Sequence, residues 1–236
     1  VSSLLSDQRI VGTAVPGRLV TLVAVIPASG TTPSYQEPLG TVMPDSAGNF
    51  SAAFSSTALR NLGDRSGLQL IASQPDPAGN IATSTPFLFA IDTTPPNQAT
   101  INSVGGSDSV VTSTLDALIT GTAAAGMTVN LLASDDGVSY RTLGTVVASA
   151  NGTFSVSMTQ TQLNSFQQGA NRKIIAELTD AAGNTSRSTP VNFAVDTIAP
   201  VITVNDLGGL DGVISSSAGD NLISGTAEAG QTLTLR

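Results

Sequence analysis

Apolar and polar residues alternate along this chain in short runs set between clusters of Gly, Asn, Asp and Pro, the pattern of half-buried strands joined by tight turns. The clearest run places Phe154, Val156 and Met158 on one face, and an earlier one does the same with Phe50, Ala52 and Phe54. Across the middle of the chain the alternation predicts seven strands. They lie near residues 99–104 (A), 117–123 (B), 127–134 (C), 140–147 (D), 153–158 (E), 172–178 (F) and 190–195 (G). The turns "SAGN" and "SANG" join D to E in two places. Between E and F, Leu163 and Phe166 stand three apart, as do Leu59 and Leu62. That spacing predicts one short helical turn closing the bottom of the strand layers.

The pattern recurs. "PDPAGNIATSTPFLFAIDTTPP" returns as "TDAAGNTSRSTPVNFAVDTIAP", and the spacing from Asp92 to Asp196, Gly79 to Gly183 and Gly40 to Gly144 is 104 residues each time. "ITGTAAAGMTVNLL" returns as "ISGTAEAGQTLTLR" at the same spacing, while the earlier "VGTAVPGRLVTLVA" is offset by 109 because the loop near "PASGTTPSYQEP" is longer. Self-similarity at a fixed period marks an array of like units. Seven short strands per unit predict an all-β protein of tandem immunoglobulin-like Greek-key β-sandwiches in a linear array, with incomplete terminal copies. Residues 1–96 are expected to be a repeat lacking its first strand, 97–200 a complete repeat, and 201–236 the N-terminal part of a third. The expectation is a window cut from a longer array.

Composition narrows the chemistry. There is no Cys, His or Trp, so a Ser–His pair, a thiolate nucleophile and His-ligated zinc are excluded. One Lys and eight Arg face seventeen acids, for a net charge of −8, which opposes a phosphate-backbone partner or an anionic membrane surface. No apolar run is long enough to cross a bilayer. Aromatics make up 4% of the chain, too few for the sugar platforms of a two-carboxylate glycosidase. The chain is expected not to be an enzyme. "NGT" at Asn151 and "NTS" at Asn184 match glycosylation acceptors, a signal too short to carry a role.

The motifs "GTAxxG", "DxAGN" and "DTxxP", in this order and at this spacing, resemble the bacterial Ig-like repeats of very large surface adhesins exported by type I secretion, and the resemblance covers the whole chain. It implies an extracellular location on the bacterial surface, a role in cell adhesion and biofilm formation, and a stalk whose junctions are stiffened by calcium. The partners it implies are neighbouring repeats of the same chain, with host or biofilm surfaces met by a distant tip. The Glu of the family's "GTAEAG" is present as Glu228, with Ala124 and Val15 at the equivalent positions.

Topology gives a separate reason to expect cations between repeats. The B–C, D–E and F–G loops share the N-terminal pole of a Greek-key sandwich. The A–B, C–D and E–F loops share the other pole with the end of strand G. Stacking two repeats should therefore gather Asp92 and Asp7 of the first with Asp180 and Asn184 of the second. At the next junction the set is Asp196, Asp116 and Glu228. Close carboxylates repel unless a divalent ion bridges them, and Ca²⁺ accepts six to eight oxygens in loose geometry. The alternative is local: Asp180 caps a turn in which Gly183 supplies a positive φ, and Asp116 is an ordinary loop residue. Asp135 and Asp136 in "SDDGVS" read as a hairpin turn. Two other functions stay open. One is a glycan- or host-protein-binding module using the loop that holds Tyr35; the other is an accessory module of an extracellular hydrolase.

Overall fold

The computed structural model describes residues 8–31, 33–208, 212–216, 222–230 and 232–234. The central repeat forms two facing sheets. One pairs β13 (Thr153–Ser157), β10 (Leu118–Thr122) and β8 (Thr100–Val104) in that order. The other runs β12 (Arg141–Val147), β11 (Thr128–Ser134), β14 (Gly169–Thr179), β16 (Val191–Val195) and β9 (Val110–Val111), with the short β15 (Thr185–Arg187) also on β14. All pairings are antiparallel except β16 with β9, which is parallel.

The seven expected strands are present. The fourth strand, β12, pairs with β11, so the layers divide as A-B-E and D-C-F-G. Strand F starts earlier than its apolar run, at Gly169, because a bulge carrying Asn171 at φ 69° lengthens its pairing with β16. The inward faces meet in one core that includes Ile119, Val129, Leu131, Phe154, Ile174 and Leu178. Helix α2 (Gln160–Asn164) begins with a capping box, in which Thr159 accepts from the Gln162 backbone and Gln162 accepts from the Thr159 backbone. It seats Leu163 and Phe166 in the core, as their spacing predicts.

The first repeat follows the same plan with β1 (Arg9–Thr13), β2 (Val20–Ile26), β3 (Tyr35–Val42), β4 (Asn49–Ala53), α1 (Ser56–Leu62), β5 (Arg65–Pro75), β6 (Ile81–Thr83) and β7 (Phe87–Ile91). It has its own core around Leu22, Phe50, Leu62 and Leu68. Among the described residues β1 pairs only with β4. In the third copy β17 (Ile202–Leu207) pairs with β18 (Ile223–Ala227).

One packing device repeats. The tip of the Phe154 ring reaches Gly121 of β10, where any Cβ would overlap it, and the tip of the Phe50 ring reaches Gly12 in the same way. The glycine of the "GT" motif is therefore a seat for the core aromatic.

Candidate functional site: the joints between repeats

The F–G turn of the central repeat is built by the sequence "DAAGN". Gly183 adopts φ 91°, its N–H donates to the Asp180 carbonyl at 3.1 Å, and the Asp180 N–H donates to the Asn184 carbonyl at 3.0 Å. This is a tight hairpin turn ending in a glycine bulge. Asp180 organises it: Oδ1 accepts from the backbone N–H groups of Ala182 and Asn184, each at 2.9 Å, and Oδ2 accepts from Asn184 Nδ2 at 3.0 Å. Desolvation acts to raise the pKa of Asp180, but the bonds from Asn184, Ala182 and Gly183 outweigh it and the net shift is downward. The local, turn-capping role open from sequence is thus occupied. The same turn is written at 76–80 and at 45–49, with Gly79 at φ 91° and Gly48 at φ 85°.

The F–G turn does more at the joint. Asn184 is fully buried, and its Nδ2 also donates to the backbone carbonyl of Asp92 at 2.9 Å, across the boundary between repeats. One amide group therefore bonds Asp180 with one hydrogen and the preceding repeat with the other. In the first repeat Asn80 makes only the intraturn half of this pattern, to Asp76 Oδ2 at 2.8 Å, and is exposed.

The linker is held from a second side that the sequence reading missed. Asp64, between α1 and β5, accepts from Thr93 N at 2.9 Å, from Thr93 Oγ1 at 2.8 Å and from Thr94 Oγ1. These bonds, led by that from the Thr94 side chain, lower its pKa. One period later stands Gln168. Its Oε1 accepts from Thr197 N at 2.8 Å and its Nε2 donates to Thr197 Oγ1 at 2.9 Å. An acceptor of either kind grips the Thr of "DT". The available signal was the 104-residue spacing of two polar residues just before strand F, hidden because one is Asp and the other Gln.

The remaining expected residues are placed as follows. Asp92 Oδ1 accepts from Thr94 N at 3.3 Å, and Asp196 Oδ1 from Ile198 N at 3.4 Å, so each folds its linker back on itself. Asp196 N–H donates to the Val111 carbonyl at 3.0 Å, while Thr112 N–H of the same peptide unit donates to the Asp116 carboxylate. Asp116 and Asp196 thus flank one peptide group at the C-terminal pole. Asp116 also accepts from Thr112 Oγ1 and Ser113 N, and these bonds together overcome desolvation and lower its pKa. Glu228 is exposed just after β18. Asp7 lies outside the described residues.

For a cation at the first joint, the oxygens that converge are already engaged by a donor. The Asp92 carbonyl and Asp180 Oδ2, from consecutive repeats, both lie within 3.0 Å of the single atom Asn184 Nδ2. Each accepts one of that amide's two hydrogens, so a cation between them would require the amide to turn and present its oxygen instead. Among the described residues no three acidic side chains gather into a metal-binding group.

Elsewhere the polar clusters are spoken for. Asp135 is bonded by Arg141 at 2.8 Å and faces Arg172. Asp136 is held far below the usual carboxylate range by the Ser139 and Val138 N–H groups and the Ser134 hydroxyl, as a turn former. Tyr35 donates to Glu37 at 2.7 Å, and Glu37, itself buried, also accepts from Asn61. The tyrosine of the long loop is a partner in this internal network.

Residues 96–195 match the family described as bacterial Ig domain. Among curated proteins none matches the sequence significantly. Similar solved structures include a Ca²⁺-stabilized adhesin with which an Antarctic bacterium reaches out and binds ice, at 25% identity over 96% of this chain and 55% of that one, with a TM-score of 0.41. A 1.5-MDa bacterial ice-binding adhesin is 25% identical over 96% of this chain and 72% of that one, with a TM-score of 0.34. The fibronectin(III)-like modules of Clostridium thermocellum CbhA are 12% identical over 81% of this chain and 87% of that one, with a TM-score of 0.39. The chain thus spans little more than half of the first of these. The central repeat, a two-sheet sandwich over residues that match this family from end to end, is thus an Ig-like domain of the bacterial Ig type.

Proposed function

We propose that this chain is a stalk segment of a bacterial extracellular adhesin, a non-enzymatic row of Ig-like repeats whose joints are stiffened so that the row holds reach. The observation that carries this reading is the buried Asn184 amide, bonded at once to its own turn and to the Asp92 carbonyl of the preceding repeat. The grip of Asp64 on Thr93 and Thr94 and the prolines that follow restrict the same linker. A joint held on two sides transmits orientation from one repeat to the next, which a binding module on a flexible tether does not need.

Calcium belongs to this proposal. Asp92, Asp180 and Asn184, with Asp7 from the A–B loop, would hold it at the first joint; Asp196, Asp116 and Glu228 would contribute at the second. The ion would supply positive charge that cancels repulsion among these oxygens and ties two repeats through one centre. In this reading the glycine turn would present Asp180 and Asn184 to the ion, and the end of β7 would present Asp92.

The test is a melting and small-angle scattering series on the full chain, with millimolar calcium or with chelator. Calcium is expected to raise the melting temperature and to narrow the distribution of inter-repeat angles, and Asp180→Ala is expected to abolish both effects. Identical curves with and without calcium would remove the ion from the account. A broad angular distribution under all conditions would remove the stiff stalk.

A further inference from the structure

Arg172 stands where a core leucine would serve. It lies opposite Phe193 of β16, and one period earlier Leu68 lies opposite Phe89 of β7. Leu68 is fully buried in the first core. The Arg172 side chain is only 11% exposed, so the central repeat withdraws a guanidinium from water at a position this fold can fill with hydrocarbon. A withdrawn charge costs desolvation, and an apolar side chain of like volume often stabilises a fold as much or more. Arginine at this position therefore serves something other than the core.

Its donors show what that is. Nη1 donates to the Asp135 carbonyl at 2.7 Å, Nε to the Gln167 carbonyl at 3.0 Å and Nη2 to the Gln168 carbonyl at 2.9 Å. The planar fork thus fixes three carbonyls, one in the C–D hairpin and two in the segment before β14. Asp135 closes the ring: its Oδ1 accepts from the Gln167 N–H at 3.1 Å and lies 3.6 Å from Arg172 Nε. Arg141 holds the other carboxylate oxygen at 2.8 Å, and its guanidinium lies 4.3 Å from the Phe166 ring centroid. Gln168 is the residue so braced, and its side chain takes both the N–H and the hydroxyl of Thr197.

We infer, on the stalk reading, that Arg172 is the positioning residue of the second linker: it fixes the backbone of Gln168 and, through it, the direction in which the chain leaves the central repeat. The contrast with the first linker supplies the reason. There the gripping residue is Asp64, a carboxylate whose bonds to Thr93 and Thr94 are charge-assisted, and Leu68 takes the place of the arginine. Gln168 grips with a neutral amide, whose bonds are weaker and hold a direction only when the backbone that carries them is itself held.

Hydrogen exchange on the full chain tests this. Arg172→Leu gives the central repeat the residue the first repeat uses, and the strands β11 and β14 are expected to stay as protected as before. The Thr197 amide is nevertheless expected to exchange at least about tenfold faster, while the Thr93 amide on the first linker does not change. Gln168→Ala is expected to free the Thr197 amide to the same extent, and adding Arg172→Leu to it is expected to do nothing more. Arg172→Lys keeps the charge without the fork and is expected not to restore the amide. Unchanged exchange at Thr197 in Arg172→Leu overturns the inference. So does a rise at Thr197 matched by equal rises in β11 and β14, a further rise in the double variant, or full protection in Arg172→Lys. Small-angle scattering separates this result from the stalk: a Thr197 amide that follows Arg172 in a row of freely angled repeats keeps the positioning residue and removes the stiff row.

Discussion

The turns at 76–80 and 180–184 use the same five-residue plan, the same glycine geometry and the same carboxylate bonds, yet Asn80 is exposed and Asn184 is fully buried. The difference is the neighbour. At 184 the second amide hydrogen finds the Asp92 carbonyl of the repeat before it. A local motif that folds by itself becomes a joint when a second module presents an acceptor to it. The Asp of "DxAGN" is therefore first a turn residue, and its part in the joint is to hold Asn184 in place.

The largest way to sharpen the contrast between the two repeats is in their cores. Phe154→Ala is expected to cost about 3–5 kcal/mol, measured by denaturant unfolding of the central repeat. Phe50→Ala is expected to cost less, since Phe50 is 9% exposed against 4% for Phe154. Next come the two asparagines. Asn184→Ala removes both amide bonds, to the Asp92 carbonyl and to Asp180 Oδ2, at a part-buried joint and is expected to cost about 1–1.5 kcal/mol. Asn80→Ala, at its exposed site, is expected to stay within about 0.5 kcal/mol. Equal losses at the two positions, read by hydrogen exchange around 92 and 184, would show that the joint adds nothing to the turn.

The smallest effect separates the two linker grips. Asp64 has its pKa lowered by the Thr94 and Thr93 bonds, so its contribution is complete above the unfolded carboxylate value of roughly 3.9. That contribution is lost as pH falls through the lower folded value. Gln168 does not titrate. Acid is therefore expected to loosen the linker at 92–96 before the linker at 196–200, and Asp64→Gln is expected to erase the difference. Chemical shifts of Thr93 and Thr197 followed through an acid titration would report it.

Much of this was legible in the sequence. The strands of the central repeat lie where alternation and the 104-residue spacing put them, because each has one buried face. The helical turn before strand F followed from the pairs Leu59/Leu62 and Leu163/Phe166. What escaped was non-local or too short to carry a period. β9 is two residues long, and β15 three. The pairing of β12 with β11 is a choice between partners that no run of residues encodes. At the joints, Asp92, Asp180 and Asn184 were named together from the sequence as oxygens around a cation, and the direct contact among them runs through the Asn184 side chain. The structure uses an amide and a backbone carbonyl, and every residue has a backbone carbonyl, so no residue letter marks it.

The parallel pairing of β9 with β16 has a mechanical consequence. Ser109 and Val111 accept from the N–H groups of Ala194 and Asp196, so the segment leading into the sandwich and the strand leading out lie side by side and point the same way. Tension applied at the two ends of the repeat draws these segments past each other lengthwise. The bonds between them are then loaded together in shear instead of being unzipped one at a time, a geometry in which resistance to pulling is governed by the rate of rupture.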